Sequence, residues 1–193
     1  MKKHLVAAVP EPLASRATDT KMYTSFWDAT VKDIAEQLTY LDWRLFVAVP
    51  TSEFMENGWD RPRYEHTADN IRCLIDRLNA VSLWVQSAIL DGTSPRERAD
   101  IIRRFVTIAR LMRSLNNFAG LWSIVTGMSI DTIQRLDQTW ALVSAESVSE
   151  FEALKAVFNS SNFYQAYRDV LDATPKDSVI VPYLGAHTKE LTI

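Results

Sequence analysis

Apolar residues recur at steps of three and four positions through nearly all of this 193-residue chain, a periodicity typical of α-helices that bury one face. The clearest run extends from Ile71 to Ile89 and predicts a long helix that ends near Gly92. The sequence contains no strand–helix–strand alternation and no pattern typical of a β-hairpin. It therefore predicts an all-α domain, built as an irregular bundle of several helices.

Local capping signals predict where two of these helices begin. Thr30 with Asp33 three residues later resembles a capping box, although aspartate replaces the usual glutamate or glutamine. Ser94 and Glu97 flank a proline at the first helical position, a combination typical of a helix start. We expect the second of these helices to run to about Leu115.

Two adjacent asparagines, Asn116 and Asn117, interrupt one of the most apolar regions of the chain. Asparagine is unfavourable inside a helix because its amide competes for backbone groups, but it is well suited to a cap. The pair therefore predicts a corner, with one asparagine capping a short helix from Phe118 to Thr126 and Gly127 lying past its end.

The rest of the chain is predicted to be helical with two interruptions. Residues 51–68 are predicted to form a loop, and the segment around Pro182 is predicted to be extended. The later helices are predicted over Thr132–Trp140, from a start at Ser147, and from Ser161 or Asn162 to Leu171.

Composition and charge exclude several functional classes. Apolar residues make up 47%, charged residues 23%, and the net charge of -3 disfavours a general nucleic-acid-binding protein. No stretch approaches the roughly 20 apolar residues that cross a membrane. The single cysteine, Cys73, excludes an intrachain disulfide and suits a reducing compartment, where we expect an inert thiol. We therefore expect a cytoplasmic domain over residues 28–193, preceded by a loosely ordered lead over residues 1–27.

The sequence contains no recognisable catalytic, metal-binding or cofactor-binding motif. His4, His66 and His187 are far apart and lack partners at metal-ligand spacing, so neither a metal nor a cofactor is expected. No glycine-rich phosphate loop or nucleophile elbow is present. Periodicity alone therefore predicts a helical domain of unknown role, and a helical enzyme of unrelated chemistry remains an alternative.

Six stretches, taken in order, resemble the catalytic domain of Ras-type guanine-nucleotide exchange factors, the RasGEF family. They are "DIAEQLTYLDWRLF" (33–46), "EFMENGW" (53–59), "NIRCLIDRLNAVSLWV" (70–85), the stretch 113–140 that contains "RSLNNFAGLW" and "IVTGMSIDTIQRLDQTW", "NFYQAYRDVL" (162–171) and "VPYLG" (181–185). The resemblance covers about residues 28 to 193 and implies the multi-helix bundle of that family.

The resemblance implies an exchange factor that promotes GDP release from a Ras-like small GTPase by binding its nucleotide-free form, without covalent chemistry. In the family, a hydrophobic groove grips the second switch segment of the GTPase, and a helical hairpin displaces the first. The resemblance implies GTPase contact for Ile75, Leu78, Asn79, Trp122, Thr126, Ser129, Gln134, Phe163, Tyr164 and Tyr183. Recruitment to membranes would then occur through partners.

For some of these residues a structural role is also open. Asn116 and Asn117 are interpreted as structural, because their amides can satisfy backbone groups at a buried corner. Arg135 is interpreted as a buried or half-buried bridge between helices. Phe163 and Tyr164 are adjacent, so on a helix only one of them could face the core fully.

The chain also departs from the family pattern. Ser129 stands where many members carry asparagine, and Leu78 replaces a common phenylalanine. The family's domain normally continues well past the position of Ile193, including most of the hairpin, so the domain is expected to be incomplete at its C-terminal end. The alternative is therefore a pseudo-exchange-factor that binds a GTPase or another protein without releasing nucleotide.

Overall fold

The computed structural model describes residues 26–54 and 68–188. Within these two ranges the chain forms nine α-helices and no strand, which confirms the predicted all-α class. The helices are α1 Val31–Ala48, α2 Asp69–Leu90, α3 Pro95–Ser114, α4 Phe118–Met128, α5 Asp131–Gln134, α6 Asp137–Trp140, α7 Ala145–Ala156, α8 Gln165–Ala173 and α9 Leu184–Thr188.

The first capping predictions are confirmed. The Thr30 hydroxyl accepts a hydrogen bond from the Asp33 backbone N–H at 3.0 Å, and α1 begins at Val31, directly after Thr30. The Ser94 hydroxyl accepts from the Glu97 N–H at 3.2 Å, with the proline at the start of α3. Both caps satisfy backbone donors that a helix start leaves without a partner, so a local signal is enough to place them.

Gly127 lies inside α4, so the prediction that it follows the end of this helix is wrong. A Cβ at this position would lie 2.8 Å from the Ser82 carbonyl oxygen and 2.9 Å from the Val85 Cβ. The glycine therefore allows α4 to pack closely on α2, and it does not terminate the helix.

Three other predicted helix bounds differ from the structure. The helix predicted over 132–140 is split into α5 and α6, and the Trp140 indole N–H donates to the Ile133 carbonyl at 2.9 Å, where α5 ends. α7 starts earlier than predicted because Ser144, and not Ser147, supplies the capping hydroxyl.

The start of α8 is the largest of these differences. This helix begins at Gln165, after three consecutive left-handed residues, Asn162, Phe163 and Tyr164, with φ values of 52°, 54° and 59°. The Ser161 N–H donates to the Asn159 side chain at 2.9 Å, a local turn that competes with a helix start. The predicted start at Ser161 or Asn162 is therefore wrong.

The core is organised around α3, which packs against α1, α2, α4, α6 and α7. Its inner face carries Phe105 and Met112, both fully buried. The most extensive helix pair is α2 with α4, and a cavity opens along this pair. The predicted loose lead lies mostly outside the described residues, but Phe26 stacks on Phe105 with ring centroids 5.0 Å apart.

Candidate functional site

The double-asparagine corner ties α4 to α1. Asn116 takes a left-handed conformation with φ of 56°, and Asn117 is fully buried and caps α4. The Asn117 side-chain oxygen accepts from the Gly120 N–H at 2.8 Å. Its amide nitrogen donates to Asp42 Oδ2 at 2.8 Å and to Thr39 Oγ1 at 3.3 Å. One side chain thus provides hydrogen bonds to a backbone N–H in the first turn of α4 and to two polar side chains of α1.

The same corner holds an extended segment against the start of α4. The backbone N–H groups of Phe118 and Ala119 both donate to the Val181 carbonyl, at 2.9 and 3.2 Å. The Val181 N–H donates in return to the Asn116 carbonyl at 3.0 Å. The first N–H groups of a helix have no partner within it, so this segment supplies one. The corner at Asn116 therefore holds Val181 against the start of α4.

Tyr183, two residues further on, is packed among aromatic rings. Its backbone N–H donates to the Tyr167 hydroxyl at 2.9 Å. Its ring lies 4.6 Å from the Trp122 ring and 5.9 Å from the Tyr164 ring, measured between centroids. Burial raises the pKa of Tyr167 to about 12, and burial followed by the neighbouring Tyr164 raises the pKa of Tyr183. Both phenols therefore remain neutral hydrogen-bonding groups at physiological pH.

A cavity of about 230 Å³, the first cavity, opens between α2, α4 and this extended segment. Six of the predicted contact residues line it, and they come from stretches of sequence up to 108 positions apart. These residues are Ile75, Leu78, Asn79, Trp122, Thr126 and Tyr183. Its wall is mostly apolar with a few polar groups, which is the usual character of a binding pocket.

Six further residues of the first cavity were missed by sequence reasoning, among them Phe54 and Ile71. Phe54 belongs to the motif "EFMENGW", and this was the signal that could have identified it. Its neighbour Glu53 is buried and accepts from the Ile71 N–H at 2.9 Å and from the Asn70 side chain at 2.5 Å. Ala68, the N-cap residue of α2, makes no side-chain cap, so the Glu53 carboxylate caps α2 across the intervening chain and positions Phe54 beside it.

A second cavity, of about 630 Å³, adjoins the first and shares Trp122 and Thr126 with it. Besides apolar residues such as Phe158, it carries polar or charged residues from the end of α4, from α7 and from the turn after α7. They include Ser129, Glu152, Lys155 and Asn159. Ser129, a predicted contact residue, is therefore brought next to the first cavity without lining it.

The remaining predicted contact residues lie around the two cavities. Gln134 lies in a separate hollow beside Trp140, and its amide donates to the Met128 carbonyl at 2.9 Å. Phe163 is 70% exposed, whereas Tyr164 is buried against Tyr183. One ring of the adjacent pair is therefore exposed to solvent and the other is buried. The backbone at both residues is left-handed and not helical.

The prediction that Arg135 is a buried bridge is wrong. Its side chain is 81% exposed, and its ion pair with the equally exposed Asp131 spans 3.6 Å. Arg135 occupies the break between α5 and α6, where the side chain points away from the core and needs no buried partner. Such a surface pair contributes little to stability.

Within the described ranges, no group of three or more potential metal ligands occurs. Among the same residues, no helix is both long and apolar enough to cross a bilayer.

The carboxyl group of Asp42 is fully buried beneath the corner, and this predicts an unusual pH dependence. Burial raises its pKa, opposed by the hydrogen bond from Asn117 and by Arg77, whose Nε lies 3.7 Å away. Because the folded protein holds the proton more tightly than the unfolded chain, the contribution of Asp42 to stability is largest below the unfolded pKa. That contribution decreases as the pH rises through the folded pKa.

We therefore expect the stability of the parent protein relative to Asp42→Asn to fall as the pH rises from the ordinary aspartate pKa of 3.8 towards neutrality. Urea unfolding of both proteins across this range measures the difference. Asp131→Asn, an exposed position, serves as the matched control. A relative stability that rises with pH would contradict the assignment.

The sequence is similar to known proteins of one family. The sequence model of the RasGEF domain matches residues 33–193. The chain is 30% identical over 183 residues to Ras guanine nucleotide exchange factor A of Dictyostelium discoideum, which covers 95% of this chain and 30% of that protein. It is 34% identical over 170 residues to factor P of the same organism, covering 88% of this chain and 11% of the relative.

A further relative comes from a primate. The Ras-specific guanine nucleotide-releasing factor RalGPS2 of Macaca fascicularis is 31% identical over 163 residues, covering 84% of this chain and 29% of that protein. The chain thus spans less than a third of the length of each of these three relatives. The family match covers most of the chain, and on this evidence the protein belongs to the RasGEF domain family.

Proposed function

We propose that this chain acts as a guanine-nucleotide exchange factor for a Ras-like small GTPase. The observation that carries the proposal is the first cavity, where six residues from three separate sequence stretches meet at one apolar hollow. The names of the relatives, each described as a Ras exchange or releasing factor, support the same partner class. No covalent bond is made or broken in this activity.

Exchange follows from a difference in binding affinity. If the cleft binds the GTPase more tightly when no nucleotide is bound, then cleft binding weakens nucleotide affinity by the same factor. The cleft therefore accelerates GDP release by stabilising the high-energy, nucleotide-free state.

We assign the gripping role to the two cavities. Trp122 and Tyr183 supply the large aromatic surfaces typical of binding hot spots, and Ile75 and Leu78 complete an apolar socket for a bulky side chain of the GTPase. Asn79 and Thr126 add polar groups within the socket. Ser129, Gln134, Phe163 and Tyr164 are assigned to contacts around its edge.

The proposed place of action is the cytoplasm. Cys73 is exposed on α2 as a free thiol, and the chain contains no second cysteine. This cysteine usage suits a reducing compartment.

A nucleotide-release assay tests the proposal directly. Several Ras-family GTPases are loaded with fluorescent GDP, and release is followed after excess unlabelled nucleotide and the chain are added. We expect faster release from at least one of them, in proportion to the concentration of the chain. Binding in a pull-down without faster release would instead indicate a pseudo-exchange-factor, and neither binding nor release would contradict both functions.

A further inference from the structure

A groove with a volume of about 360 Å³, the α1–α2 groove, lies where α1 meets α2 and shares no residue with the first or second cavity. Its walls are mostly apolar, with Ile34, Leu38 and Leu41 from α1, Trp84 from α2, and Phe26 from the segment before α1. Leu41 is 47% exposed. An exposed apolar groove favours the docking of a further segment, because its contact with water is unfavourable.

The chain enters the described structure inside this groove. Phe26, the first described residue, lines the groove and packs edge-on against the Trp84 ring, with centroids 5.7 Å apart. The Arg104 guanidinium donates to the Phe26 carbonyl at 3.0 Å and also to the Ala29 carbonyl, and its central carbon lies 4.7 Å from the centre of the Phe26 ring. Arg104 and Trp84 therefore fix the point from which the preceding residues extend.

The five residues that precede Phe26 have the length and the chemistry to occupy this groove. They read "KMYTS" (21–25), in which Met22 and Tyr23 carry the large, mostly apolar side chains. An extended chain advances about 3.3 Å per residue, so these two residues reach about 10 to 13 Å from Phe26. The groove runs along about two turns of α1, or about 11 Å. The segment can therefore span the exposed part of the groove.

Two observations favour this occupant over a second copy of the chain or a different protein. Residues 21–25 are joined directly to Phe26, and a tether this short gives an effective concentration in the millimolar range, which a separate molecule rarely reaches. In addition, Asp33 is the charged residue on the groove wall, and Lys21 is the charged residue of the five, with the opposite sign.

We propose that residues 21–25 dock in the α1–α2 groove of their own chain, with Met22 and Tyr23 covering Leu41 and Trp84. The α1–α2 groove is then an intramolecular interaction surface, and the folded domain extends several residues towards the N-terminus from the start predicted at residue 28. This role is separate from GTPase binding and does not depend on whether the chain releases nucleotide.

Thiol labelling measures whether the position of Leu41 is covered. A reporter thiol is placed there by Leu41→Cys, in a full chain that also carries Cys73→Ser to remove the exposed native thiol. Leu83→Cys in the same background is the matched control, because Leu83 is 60% exposed and does not line the groove. Each protein is also made with Met22→Ser and Tyr23→Ser, and the rate of reaction with a chromogenic disulfide reagent is followed.

We expect the Leu41→Cys thiol to react about tenfold more slowly than the Leu83→Cys thiol, because the docked segment must open before the reagent reaches it. The exposures of the two leucines are similar, so the described residues alone would give similar rates. Met22→Ser with Tyr23→Ser should restore a rate within about twofold of the control. Protection that depends on these two residues distinguishes docking from crowding by the groove walls.

A second measurement keeps the native leucine in place. In the otherwise unchanged chain, Met22→Ser with Tyr23→Ser should lower the urea unfolding midpoint, because apolar contacts in the groove are lost. Thr18→Ala with Thr20→Ala, which lie just outside the docking segment, should leave the midpoint unchanged. An unchanged midpoint in the first pair would overturn the inference even if the cysteine variants misfold.

The opposite labelling outcomes also overturn the inference. If Leu41→Cys reacts as fast as Leu83→Cys, the groove is open. If protection increases with protein concentration and survives Met22→Ser with Tyr23→Ser, a second copy covers the groove. If protection survives that pair at every concentration, the groove walls themselves shield position 41. The proposed function is tested separately by nucleotide release, so its failure is distinguishable from each of these results.

Discussion

Trp122→Ala is expected to weaken binding of a nucleotide-free Ras-like GTPase by about 2 to 4 kcal/mol, the range of a hot-spot truncation. The Trp122 ring contributes to the walls of both cavities and packs against Tyr183 and Phe158. Its loss removes apolar contact surface, and it also removes the packing that supports the Tyr183 ring. Tyr183→Ala should have an effect of the same order. Titration of the GTPase with each variant measures both effects.

Two controls separate the loss of contact from a loss of folding. Trp27→Ala removes a half-exposed tryptophan that contacts Phe26 and lines neither cavity, so GTPase affinity should be unchanged. Tyr183→Phe retains the ring and should retain most of the affinity. If Trp122→Ala and Tyr183→Ala remain folded in urea unfolding and bind like the parent, the assignment of the cleft is wrong.

Asn117→Ala is expected to lower the free energy of unfolding by about 3 kcal/mol. The substitution removes the cap from α4 and takes away the hydrogen bond donated to the buried Asp42 carboxyl group. A buried polar group left without its donor costs more than the bond itself contributed. Urea unfolding measures the change.

The neighbouring asparagine provides a matched control for this prediction. Asn116→Gly keeps the backbone bond to Val181 and places glycine in a left-handed conformation that suits it. Its effect on the free energy of unfolding should remain within about 1 kcal/mol. A loss of similar size in both variants would show that the corner is sensitive to any change, and that the Asn117 side chain has no special role.

Local sequence signals predicted the parts of the fold that local chemistry controls. Thr30 and Ser94 cap helices because each is followed by residues that favour a first turn, and neighbouring residues alone decide this. The corner at Asn117 was predictable for the same reason. The cleft residues were predicted from a family resemblance, because helical periodicity cannot distinguish a core stripe from a pocket wall.

Two features that the sequence alone does not predict have a different cause, which is contact between distant parts of the chain. Gly127 was predicted to terminate a helix, but its role depends on the close approach of α2. Glu53 was predicted to lie in a loop, although it caps a helix that begins more than a dozen positions later. No single window of sequence contains this information. The prediction for Arg135 failed for a local reason, because this residue lies in the break between α5 and α6, where its side chain is exposed.

The three left-handed residues before α8 affect how the stability of this protein could be increased. Each non-glycine residue in that conformation costs about 1 to 2 kcal/mol, and Phe163 is the exposed aromatic residue of the run. Replacing it with glycine would relieve this cost, but it would also remove an aromatic ring beside the cleft. On the proposed assignment of Phe163 to the edge of the cleft, the ring provides contact surface for the partner at the expense of a more stable turn.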